Sequence, residues 1–65
     1  MKPNVWEINK TEDGMFDMFY NGKLLQSSIP DRWLEEELER YGFCGEEYKG
    51  IRSQLEQYGR AKIVL

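Results

Sequence analysis

The residues able to do acid–base or ionic chemistry in this 65-residue chain are twelve Asp and Glu and nine Lys and Arg, with no His. Without His the commonest general base and the commonest metal ligand are both missing. Cys44 is the only cysteine. It cannot form an intramolecular disulfide and offers no cluster for zinc. A thiol at a helix N-terminus can be activated by the helix dipole. Here Glu46 and Glu47 oppose that effect, and no base stands by to use it. Thr11-Glu12-Asp13-Gly14 departs from the ligand spacing of a calcium loop. Gly42-Phe43-Cys44-Gly45 lacks the Gly-Lys-Ser/Thr ending of a phosphate loop. The expectation is a protein that is not an enzyme and has neither a metal nor a cofactor.

Binding chemistry is a better prospect, because the charges are segregated. Residues 31–47 carry two Arg against seven acids, and residues 48–65 carry four Lys and Arg against one. In the acidic segment, Glu35, Glu36 and Glu39 fall on the outer face of a predicted helix. A catalytic carboxylate pair needs a cleft that separates its two pKa values, which a convex, solvated face lacks. A solvated face that keeps a small domain soluble is the commoner reason for such a run. Glu35 and Glu39 are nevertheless like charges at i, i+4, a cost of a few tenths of a kcal/mol in an isolated helix. That cost invites a basic partner. Trp33 lies beside them on the flank of the apolar stripe, near Arg40. It serves either as the anchor of an interface, where Trp is over-represented, or as a lid on the core edge.

The reading is a small acidic protein-binding module, an adaptor, inhibitor or regulatory subunit. It would contact a protein partner of basic character through Trp33, Glu35, Glu36 and Glu39. In one variant the acidic face occupies the nucleic-acid groove of a basic enzyme. The alternative from another class is a weak nucleic-acid-binding domain using Lys49, Arg52, Arg60 and Lys62, with Phe19 available to stack on bases. A net charge of −3 works against it. Self-association through an open sheet face or edge strand, as a homodimer or larger assembly, is the third possibility. No apolar stretch approaches the length of a membrane span or a signal peptide. With the lone cysteine, this predicts a cytoplasmic protein.

The elements that must position these residues follow from local patterns. Residues 5–10 alternate, with Trp6 and Ile8 on one side and Glu7 and Asn9 on the other, as a half-buried strand does. Thr11-Glu12-Asp13-Gly14 is turn chemistry, and residues 15–20 form a second, aromatic strand. Asn21-Gly22 between apolar runs is a strong hairpin signal, and residues 23–27 complete a three-stranded meander. Ser28-Ile29-Pro30-Asp31 reads as a helix start capped by Ser28. The helix carries Leu34, Leu38 and Tyr41 on one stripe and runs to about Tyr41. Gly42 stops it, and Phe43 is placed to touch Leu38 in a Schellman motif.

A second helix opens at Cys44 or Gly45, buries Tyr48, Ile51, Leu55 and Tyr58, and ends at Gly59. Gly50 inside it costs about 1 kcal/mol relative to Ala and is the pattern expected where helices pack closely. Residues 60–65 form a last strand. One domain spans residues 1–65, of α+β class: a two-layer β-β-β-α-α-β arrangement with a four-stranded antiparallel sheet and a helical hairpin on one face. Pairing of the last strand beside the first makes the order 4-1-2-3.

Overall fold

The computed structural model describes residues 4–65. Four strands, β1 (Val5–Lys10), β2 (Phe16–Tyr20), β3 (Lys23–Ile29) and β4 (Arg60–Val64), form one antiparallel sheet in the order β3-β2-β1-β4. Helices α1 (Asp31–Glu39) and α2 (Glu46–Tyr58) stand between β3 and β4 in the chain. The fold is α+β, in the expected order.

Register follows from side-chain alternation. Ile8 is paired with Met18 on one side and with Ala61 on the other, and all three are buried. The same face carries Trp6 between Tyr20 and Ile63, and Phe16 opposite Ile29. Leu34 and Leu38 of α1 and Ile51 and Leu55 of α2 close over it in one apolar cluster. Each fully buried side chain of this size contributes about 1.5–3 kcal/mol of transfer free energy. On the opposite face, outward positions give a row of Lys62, Glu7, Phe19 and Leu24, flanked by Val64 with Val5 and by Arg60, Asn9 and Asp17.

The turns are local chemistry. Asn21 and Gly22 have φ of +50° and +82°, the two left-handed residues a type I′ hairpin requires. Asn21 also holds β1, since its side-chain Oδ1 accepts the Val5 N–H at 2.8 Å while its own N–H donates to Val5 O at 2.8 Å. In the β1–β2 turn the Thr11 hydroxyl donates to the Asp13 carboxylate and accepts the Met15 N–H at 3.2 Å. The Thr11 hydroxyl is the main reason the Asp13 carboxyl titrates below its ordinary value. Trp6 gathers Tyr20, Tyr41 and Phe43, at centroid distances of 4.6, 4.9 and 5.3 Å, into an aromatic cluster.

Three local expectations change. Ser28 does not cap α1. It lies within β3 at φ +56°, and its N–H donates to Asp17 Oδ1 at 3.1 Å. Ile29 pairs with Phe16 and is buried, so the strand continues to Ile29 and the cap position passes to Pro30, which has no side-chain donor or acceptor to offer. Burial of Ile29 outweighs the local preference of Ser28 for a cap. The two register shifts between β2 and β3 are bulges that accommodate the extra β3 residues. Second, Gly50 is exposed, and a Cβ there would meet nothing within 4 Å, so it marks no close packing. Third, Tyr58 is 67% exposed although its spacing from Ile51 and Leu55 keeps it on the α2 stripe, so the buried stripe ends at Leu55.

The α1 stop is as expected. The Phe43 N–H reaches Leu38 O at 3.0 Å and the Gly42 N–H reaches Glu39 O at 3.0 Å, the paired bonds of a Schellman motif, with Phe43 and Leu38 both buried. α2 begins after Gly45, whose φ of +61° and ψ of −123° are open essentially to glycine alone. No helix among the described residues is long and apolar enough to cross a membrane.

Candidate functional site

Leu34 and Leu38 anchor α1 to the core and thereby settle which side faces water. Glu35, Glu36 and Glu39 are exposed, and none takes part in an ion pair among the described residues. Two cations on the same segment are occupied elsewhere. The Arg32 guanidinium lies 5.8 Å from the Trp33 ring centroid, a cation–π contact, and Arg40 is 3.9 Å from Glu37. Trp33 is 52% exposed. It therefore does not close the core edge; its ring is half-exposed on the same helix, one turn from Glu36 and across the helix from Glu35. The four residues singled out in the sequence share one helix and are all exposed, with Trp33 and Glu35 on its two flanks.

Glu37 departs from its neighbours. It is 7% exposed, and its Oε2 has no hydrogen-bond partner among the described residues. Its spacing is the available sequence signal: three residues after Leu34 and one before Leu38, it falls within the buried stripe rather than opposite it. Such an oxygen carries a desolvation cost of about 1–3 kcal/mol.

The four cations of the nucleic-acid alternative are dispersed. Lys49 is on the exposed side of α2, 3.9 Å from Glu46. Arg52 reaches across to α1, donating to Asp31 Oδ1 at 2.6 Å, and its guanidinium lies 5.8 Å from the Phe16 ring centroid. The Asp31 carboxylate raises the Arg52 pKa further, so this bridge between the helices keeps its cation. Arg60 and Lys62 are exposed on the outer side of β4, two positions apart, and so share a face. Phe19 stands two strands away from Lys62 in the same outward row, with Glu7 between them.

Beside β4 lies an open groove of about 760 Å³, with Gln54 and Tyr58 of α2 on one side and Glu7, Asn9, Arg60 and Lys62 on the other. The Gln54 side-chain oxygen reaches into it to accept the Lys62 main-chain N–H at 3.1 Å. No signal in the sequence marks Gln54 for this role. Among the described residues no group of three or more His, Cys, Asp or Glu is arranged to hold a metal ion. Comparison with protein-family models, curated proteins and solved structures found no match to this chain.

Proposed function

We propose that this chain is a small protein-binding module without catalysis of its own, an adaptor, inhibitor or regulatory subunit. Its contact surface is the outer side of α1. The observation that carries the reading is the half-exposed Trp33 on the same helix as three exposed carboxylates that no cation among the described residues neutralises. An indole ring left in water forgoes burial energy that a partner can recover, and Trp is among the commonest interface anchors. Uncompensated carboxylates on the same helix add attraction for a basic surface and speed encounter with it. The helix is held by Leu34, Leu38 and the Schellman stop, so the surface is presented without the ordering cost of a loop.

The experiment captures host proteins on the tagged wild-type chain after nuclease treatment, with the E35K/E36K/E39K variant and Trp33→Ala in parallel. A retained protein is then purified and titrated. We expect the triple variant to abolish binding and Trp33→Ala to weaken it about 30-fold, the effect of a strong interface anchor. Rising salt should weaken the wild-type complex. Unchanged affinity in both variants, with native circular dichroism, would remove this surface from consideration.

A further inference from the structure

A second surface, built on β4 rather than α1, has a chemistry of its own. Asn4 and Leu65 exchange both main-chain hydrogen bonds, Asn4 N–H to Leu65 O at 3.2 Å and Leu65 N–H to Asn4 O at 2.8 Å. In an antiparallel ladder bonded and non-bonded pairs alternate. With Trp6 opposite Ile63 and Ile8 opposite Ala61, the main-chain groups of Arg60, Lys62 and Val64 therefore point away from β1 to the free edge of the sheet. The other edge, β3, is interrupted by two register shifts and by Ser28 at φ +56°, which break up a continuous row of donors and acceptors. β4 has no such interruption. Its one hydrogen-bonded covering group among the described residues is the Gln54 side chain on the Lys62 N–H, a contact a partner strand can replace.

We propose that the free edge of β4 takes up an extended acidic segment of another protein as a fifth, antiparallel strand. The side chains of Arg60, Lys62 and Val64 choose the occupant. Arg60 and Lys62 are exposed and in no ion pair among the described residues, and Val64 is 56% exposed. A second copy of β4 in the register centred on Lys62 would set Lys62 against Lys62, and like charges directly opposite destabilise a strand pair. A carboxylate opposite each cation does the reverse. Glu7 is the one acid lining the groove; it stands across from Lys62 in the ladder without forming an ion pair.

In an antiparallel strand the residues opposite Val64, Lys62 and Arg60 are met in that order, so the occupant reads apolar-x-acid-x-acid. Main-chain bonds give such a complex its affinity, and alternate side chains give it specificity. The groove along β4, with Tyr58 exposed on its far wall, leaves room for the added chain.

The test uses the whole protein and a synthetic peptide with that pattern. Binding is read by amide chemical shifts and by hydrogen exchange at Arg60 and Val64. A second peptide of identical charge is N-methylated on the apolar and the two acidic residues, which removes the donors facing β4. An oligothymidine and sedimentation of the protein alone complete the set. We expect the plain peptide to bind and to protect both amides. N-methylation, and separately the R60E/K62E variant, should each weaken it about tenfold or more. Equal binding of the methylated peptide, tighter binding of the oligothymidine, a dimer of the protein alone that R60E/K62E converts to monomer, or no peptide binding would each overturn the proposal.

Discussion

Gly50 is the position where backbone cost and packing can be separated. It is the fifth of thirteen residues in α2, is exposed, and would place a Cβ in open space. Gly50→Ala should therefore add no strain. Its gain is the helix-propensity difference, which is chiefly the lost freedom of the unfolded chain, about 0.8–1 kcal/mol. Melting entropy of about 2.1 cal/mol/K per residue gives this chain about 0.14 kcal/mol/K, so Tm should rise by about 7 °C. Gly45→Ala is the counterpart. A Cβ there also meets nothing, but φ +61° with ψ −123° is closed to alanine, and the loss should be about 1–3 kcal/mol. Urea unfolding followed by circular dichroism measures both, at constant m. A neutral or destabilising Gly50→Ala would show that α2 is bent or covered at this residue, and the reasoning from open space would fail.

Glu37→Met removes a buried carboxylate whose Oε2 is unpartnered, so stability in urea should rise by about 1 kcal/mol; a loss would mean that oxygen is satisfied in solution. Asn21→Ala gives up both the left-handed turn residue and the bond to the Val5 N–H, at about 1–2 kcal/mol, whereas Asn21→Gly keeps the turn and should lose less; equal losses would contradict this division. The Asp13 carboxyl is held below its ordinary value of 3.8, so its contribution to the β1–β2 turn is complete above that value and is lost as pH falls toward its folded pKa. The Met15 amide shift should move in that window and cease to move in Asp13→Asn; a pH-independent shift in wild type would refute the Thr11–Asp13 contact.

Much of the fold could be read because its signals lie within a few residues of each other. Asn21-Gly22 calls for a type I′ turn whatever surrounds it. The Leu38–Gly42–Phe43 stop is complete within one helical turn, and the alternation of Trp6 and Ile8 against Glu7 and Asn9 assigns their faces before any partner strand is placed. Likewise, the exposure of Glu35, Glu36 and Glu39 follows from their angle to Leu34 and Leu38. The misreadings occur where a distant contact outranks a local preference. Ser28 has a good cap side chain, yet Ile29 is worth more buried against Phe16, and Asp17 from another strand is there to take the Ser28 N–H. Trp33 could cover the core or face water by its helical angle alone; the layout of the sheet beneath α1 left it outside.

Element types, their order, the turns and the segregation of charge are thus written locally in the 65 residues, because hydrogen bonds and sterics between near neighbours specify them. Which cations remain free is a tertiary matter. Arg52 is neutralised by Asp31, twenty-one residues away, while Arg60 and Lys62, on a strand edge, are in no ion pair among the described residues. The same is true of Glu37, and of the Lys62 N–H covered by Gln54. Partners this far apart meet only after the chain has closed on its core, and periodicity carries no record of which polar group will face which.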